Sequence, residues 1–256
     1  AAWMLSRQSR RWAYVVTIFL ALHIVSSLWA FPNYLPYSNE AFGGPSRSYR
    51  VVSDANVGWE GGLKAMQSYI NSRHITHCWF AFDGPNDPAY YRIPCSPMPT
   101  LFSWLLRHPQ GVVPEKIEGP VFIGSNEMTG FDWGPDDMNP YNQFVNLRPS
   151  AVLQGEILEY DGSFQVNEVS ALSHFVVAEH LLGQKQLDAA LVEYKLAEQI
   201  DPEAILTHEM LASLYAQMKQ PDDAMREYQS AMHIYQTVHP DFQKLNDPPQ
   251  NPLAHP

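Results

Sequence analysis

Two stretches of the C-terminal third decide the fold: Ala178–Ala197, AEHLLGQKQLDAALVEYKLA, and Ala212–Ala231, ASLYAQMKQPDDAMREYQSA. Laid over each other from their first residues, they match at the positions that matter. Ala178 meets Ala212, Asp188 meets Asp222, Ala190 meets Ala224, and Ala197 meets Ala231. Glu193 meets Glu227, Tyr194 meets Tyr228, and Lys185-Gln186 meets Lys219-Gln220. Just before and within them, Val177 meets Leu211, and Leu181 meets Tyr215. A period of about 34 residues is one helix-turn-helix unit, with small residues where its helices cross. Ala178 and Ala190 allow close approach, Tyr194 fills the remaining gap, and Asp201-Pro202 turns the chain into the second unit.

The spacing and the small–large pattern resemble the tetratricopeptide repeat, although the early Trp is missing and Ala178 and Ala212 replace its Gly. Two repeats bury too little surface to stand alone. The pair is therefore expected to lean on a neighbouring unit, a further helix or a partner. One reading makes the repeats a stabilising cap. The other gives them a groove for a protein segment, with His174, His208, Glu209 and Gln217 as its candidate residues. Asp247–Pro256, with four prolines, is expected to be extended or a docking strand.

The N-terminal end is of another kind. From Trp12 to Phe31 there is no formally charged residue. About 20 apolar residues at about 1.5 Å each span about 30 Å of hydrocarbon. Trp12 and Tyr14 flank one end and Trp29 and Phe31 the other, as interfacial belts do, and Pro32 stops the helix. Ser26-Ser27-Leu28-Trp29-Ala30 is a poor cleavage site, which favours an anchor over a signal peptide. His23 is expected to face a neighbouring helix. Arg7, Arg10 and Arg11 make residues 1–30 basic, and the total of −11 leaves −14 on the remainder. By the positive-inside rule the N-terminus is cytoplasmic and the bulk of the chain is periplasmic or external. So acidic a chain is a poor nucleic-acid binder. A composition of 45% hydrophobic residues excludes a disordered one.

Just past the apolar run the chain keeps Tyr37, Asn39, Glu40, Gly43, Gly44 and Pro45, then Asp54, Asn56, Trp59 and Leu63. Asp87-Pro88-Ala89-Tyr90-Tyr91 and Ile93-Pro94 follow. Together these resemble the extracytoplasmic tail of family 39 membrane glycosyltransferases, the protein mannosyltransferase-like group, over roughly residues 10–160. That resemblance implies a sugar donor on a polyprenyl phosphate and a catalytic acid in an earlier membrane domain. Here Tyr37, Asn39, Glu40, Asp54, Asn56 and Trp59 would be supporting residues, not catalysts. The chain departs from the family pattern at Ala55, Gly58 and Glu60-Gly61.

The middle reads as a small α/β unit of two or three layers. A strand is expected at Tyr49–Ser53, a helix over 59–72 and a buried strand at Thr76–Phe82. A short helix is expected at Leu101–Leu106, a strand at Gly119–Gly124, and another at Ala151–Tyr160 closed by Asp161-Gly162. Glu156 and Glu159 would then fall on opposite faces of one strand. His74, His77 and Cys78 have the residue types of a metal site, but a helix-to-strand junction accounts for them better. Asp132, Asp136 and Asp137 with Asn139 and Asn142 lack the Gly and terminal Glu of a calcium loop. The aromatics Trp59, Trp79, Trp104 and Trp133 suggest a carbohydrate-binding face, though core packing explains them better. Cys78 and Cys95 either pair in an oxidising compartment or stay as buried thiols. No catalytic triad, phosphate loop or dinucleotide fingerprint is present, so no catalytic residue, metal or cofactor is expected.

The expected order is a basic N-terminus (1–11), a membrane helix (12–31), an extracytoplasmic α/β domain (32–168), two repeats (169–238) and a proline-rich tail (239–256). The expected role is a membrane-anchored interaction and assembly module. Its partners would be the bilayer and other membrane or periplasmic proteins.

Overall fold

The computed structural model describes residues 10–31, 61–84, 88–105, 111–129, 133 and 139–237. The family-motif residues Tyr37 to Trp59, the strand expected at Tyr49–Ser53, Asp132, Asp136, Asp137 and the tail lie outside them. The described residues form eight helices and one five-stranded mixed sheet.

Helix α1 (Arg10–Ala30) contains Trp12–Ala30, a stretch long and apolar enough to cross a membrane. Its large side chains are exposed, Phe19 at 68% and Leu28 at 70%, so it is not the core helix of a soluble fold. By length and composition it is a membrane anchor or a signal sequence.

The sheet runs in the order β2-β1-β3-β5-β4, with β1 (Cys78–Ala81), β2 (Cys95–Pro97), β3 (Lys116–Gly124), β4 (Ala151–Leu153) and β5 (Ile157–Gln165). β1 is parallel to both β2 and β3, while β5 is antiparallel to β3 and β4. Period-two alternation sorts the side chains. Phe80, Phe122 and Ile157 meet Leu63, Met66 and Ile70 of helix α2 (Gly61–Arg73) on one face. Ala81, Val121, Ile123, Leu158 and Tyr160 face the opposite layer. There they meet Tyr141, Phe144 of the short helix α4 (Asn142–Val145), and Val166 and Val169 at the start of helix α5 (Asn167–Gly183). The unit therefore has three layers. Between β2 and β3 lies the short helix α3 (Leu101–Leu105). Thr100 and Ser103 cap it reciprocally, each side chain accepting the other's backbone N–H at 2.8 and 3.2 Å.

The expected single strand Ala151–Tyr160 is a hairpin instead. Gln154 and Gly155 both adopt positive φ, 52° and 73°, and turn β4 back as β5. β5 then continues past Asp161-Gly162 to Gln165, with Gly162 paired to Gly119 in the ladder. Gly119 sits at φ +94°, where a side chain would be strained. Glu156 thus precedes the strand instead of occupying it. Its buried carboxylate accepts the Gly62 N–H at 2.6 Å, at the first turn of α2. Glu159 accepts the Tyr69 hydroxyl from the same helix at 2.7 Å. Both carboxylates serve α2, contrary to the opposite-face expectation.

Cys78 and Cys95 are a register pair of β1 and β2 and form a disulfide. β2 is short and contains Pro97, so the bond holds the sheet edge. Closing a loop of this size stabilises by about 3 kcal/mol. Reduction, or the Cys78→Ser, Cys95→Ser double variant, is expected to lower full-chain stability by about 2–4 kcal/mol in denaturant titrations. Identical midpoints with and without reductant would show that the bond contributes nothing.

The remaining helices are α6 (Leu187–Ile200), α7 (Ile205–Gln217) and α8 (Pro221–Thr237). α5 pairs with α6, α7 with α8, and α6 packs on α7. The turns inside both pairs are alike. Lys185 and Lys219 take positive φ of 62° and 61°, and the next N–H groups bond back to Leu181 and Tyr215. Ala178, Ala190, Tyr194, Ala197, Ala212, Ala224 and Ala231 are buried, while Tyr228 is half-buried. α5 belongs to both halves. Its first turn sits in the sheet core and its later turns in the helical core. The Ser173 hydroxyl accepts the Val113 N–H at 2.9 Å, and Trp104 of α3 packs edge-on against Phe175, 5.7 Å between ring centres.

Candidate functional site

A buried ionic cluster lies where α6, α7 and α8 meet. The pattern around Ala190 and Ala197 buries one side of α6 and leaves Lys195 and Glu198 on its flank towards α7. Thr207 and His208 are buried in the first turn of α7, and Glu227 lies between the buried Ala224 and Ala231 of α8. The Lys195 ammonium donates to Glu227 at 2.7 Å and to Glu198 at 2.8 Å, and its charge lies 5.5 Å from the centre of the Tyr215 ring. Nδ1 of His208 is 2.9 Å from Glu227 and 4.0 Å from Glu198. Its Nε2 is 3.0 Å from the Pro202 carbonyl.

Both ring nitrogens of His208 thus meet oxygens of Glu227 and Pro202, an arrangement that favours the doubly protonated ring, in which both nitrogens donate. Burial by itself would lower the His208 pKa. The bonds to Glu227 and Pro202 and the charges of Glu227 and Glu198 outweigh it and raise the pKa above the ordinary histidine value. For Glu227, burial acts to raise the pKa, but His208 and Lys195 hold it below the ordinary carboxylate value. Burial likewise opposes the charge on Lys195, and the bonds to Glu198 and Glu227 hold it well above the usual lysine range.

Glu198, His208 and Glu227 bring three donor atoms within 4.8 Å of one another, a geometry able to hold a metal ion. The Lys195 ammonium already bonds both carboxylates, and Nδ1 of His208 lies against Glu227. A divalent ion here would compete with Lys195 and with a proton on His208.

The first helix pair repeats part of it. His174 Nδ1 lies 2.7 Å from Glu193, at the positions that match His208 and Glu227 one repeat later. Glu179 accepts the Tyr194 hydroxyl nearby. Of the four groove candidates, His208 is a buried tie, and the half-buried His174 meets Glu193 through Nδ1. Burial raises the pKa of Glu209, and Gln217 is exposed. Sequence reasoning passed over Lys195 and Glu198 and gave Glu227 only a place in the repeat. The recurrence of both His and Glu at the repeat spacing was the available signal.

The other candidates have structural roles. Cys78 is committed to the disulfide, the exposed His74 ends α2 at φ 54°, and His77 packs edge-on against Trp79. Asn139 accepts the Tyr141 N–H and donates to the Glu127 carbonyl, bracing the loop before α4. The Tyr141 hydroxyl donates to the Pro99 carbonyl at 2.6 Å. Burial, then the charges of Glu127 and Asp83, push its pKa well up. Trp104 and Trp133 stack on each other, 6.2 Å between ring centres, and Trp104 covers Phe175.

In comparisons with known proteins, no family model, no curated protein and no solved structure matches the chain.

Proposed function

We propose that the chain is a membrane-anchored, extracytoplasmic interaction and assembly module, an accessory subunit of a larger membrane protein complex. The observation that carries this reading is the array α5–α8. Two like helix pairs are braced on a sheet domain through a shared helix, and an exposed apolar helix lies at the other end of the chain. The helix pairs are read as tetratricopeptide repeats, whose stacked helices suit protein recognition. The Cys78–Cys95 disulfide supports an oxidising, extracytoplasmic location, and Arg7, Arg10 and Arg11 support a cytoplasmic N-terminus.

A second reading rests on the family 39 resemblance. In it the chain is the C-terminal part of a glycosyltransferase that takes its sugar from a polyprenyl phosphate, with the catalytic membrane domain outside this sequence. The motif around Tyr90–Ile93 then acts as a strap under α2. Gln67 donates to the Tyr91 carbonyl at 2.7 Å, and Ile93 is buried with Leu63 and Met66.

Mild-detergent extraction, size separation and intact mass separate the two. Co-elution of the polypeptide carrying this sequence with other chains, and no multi-span membrane domain on that polypeptide, is the expected result. A much larger polypeptide carrying this sequence favours the glycosyltransferase, and a lone monomer overturns the assembly role. A phosphatase reporter fused after Pro256 is expected to be active only outside the cytoplasm, and cytoplasmic activity would reverse the orientation.

A further inference from the structure

We propose that the seam between the α5–α6 and α7–α8 helix pairs is a pH-sensitive joint, closed while His208 carries both ring protons and loosened when it loses one. The geometry is specific to this seam. Within the first pair, His174 and Glu193 tie α5 to α6 only. In the second pair the same histidine–glutamate link is joined by Lys195 and Glu198 from the preceding helix, so it crosses from one pair to the next. One repeat earlier, the positions of Lys195 and Glu198 correspond to Asp161 and Phe164, which lie in β5, so the first pair cannot repeat the bridge.

The groups facing the ring are Glu227 from α8, Lys195 and Glu198 from α6, and Asp201 and the Pro202 carbonyl from the connecting loop. Loss of either proton turns a donor into a lone pair. At Nδ1 that lone pair would face the Glu227 carboxylate at 2.9 Å; at Nε2 it would face the Pro202 carbonyl at 3.0 Å. His208 is 5% exposed, so water cannot insert without opening the seam. The stabilisation is complete below the unfolded histidine pKa of about 6.5 and fades as pH rises through the higher folded value. The joint does not depend on what the helices bind.

Hydrogen exchange of the full chain in detergent, corrected for intrinsic rates, tests this at about pH 5.5 and 8.5. Protection of α7 and α8 relative to the sheet is expected to fall at the higher pH. The fall is about tenfold for each unit by which the His208 midpoint exceeds about 6.5. His174→Gln should keep that dependence, and His208→Gln should lose it. Unchanged relative protection in the parent chain, or the same fall in His208→Gln, overturns the joint. Should His208→Gln not fold, nitrogen-15 chemical shifts of the parent's His208 ring decide. A doubly protonated ring well above pH 6.5 supports the joint, and a neutral ring at pH 6 refutes it.

Discussion

Phe175→Ala is expected to destabilise the chain by about 3–5 kcal/mol, the range for deleting a fully buried aromatic ring. Phe175 is 1% exposed, and its ring is edge-on to Trp104 on one side and to Tyr194 on the other. Trp104 belongs to the α/β half and Tyr194 to the helical half, so the cavity would open where the halves are joined. Aromatic contacts of this kind add about 0.5–1.5 kcal/mol each beyond area burial. The cost should therefore exceed that of Leu214→Ala, about 2–5 kcal/mol, which lies within the helical core alone. Denaturant unfolding followed by Trp fluorescence and by helical circular dichroism checks both claims. In the parent the two probes should coincide; in Phe175→Ala they should separate as the helices melt before the sheet. Coincident transitions with a loss under about 1 kcal/mol would mean that Phe175 does not couple the halves.

That coupling was only partly legible in the sequence. The recurrence of Ala178, Ala190 and Tyr194 one repeat later fixed the helix pairs, because small residues at crossings are a local steric demand. The same reasoning called for a support, and α5 turns out to supply it by entering the sheet core at Val166 and Val169. The sequence did not show that Trp104, far upstream of Phe175, covers it, because that contact is set by tertiary packing. The β4–β5 hairpin was missed for a local reason. Its turn begins at Gln154 with φ 52°, a residue with no preference for that region, and Gly155 alone gave too weak a signal. Pairing of Cys78 with Cys95 stayed open because it depends on β2, which is too short to carry any periodicity. His208 is buried instead of lining a groove, because a polar residue on such a helix reads as a groove residue until its partner is known. That partner lies on the next helix, across the helical turn, in both pairs.

Glu227→Ala is expected to cost about 3–5 kcal/mol, as removal of one member of a buried ion network does. The variant leaves Nδ1 of His208 with only Glu198, at 4.0 Å, and it takes from Lys195 the better buried of its two carboxylates. Uncompensated charge, more than lost attraction, sets the size of the effect. Glu193→Ala removes the matching residue of the first pair, but its carboxylate is 23% exposed and binds one histidine, so about 1 kcal/mol or less is expected. The contrast between the two equivalent positions isolates the buried seam from the repeat geometry they share. Replacing the network together, with Lys195→Met, His208→Leu and Glu227→Leu in one chain, should recover most of the loss. Matched apolar side chains avoid the desolvation that the charges incur. Urea titrations at pH 6 measure all three variants on one scale. If Glu227→Ala and Glu193→Ala prove equally mild, water reaches the α6–α7–α8 junction, and the charges there are solvated instead of holding the helix pairs together.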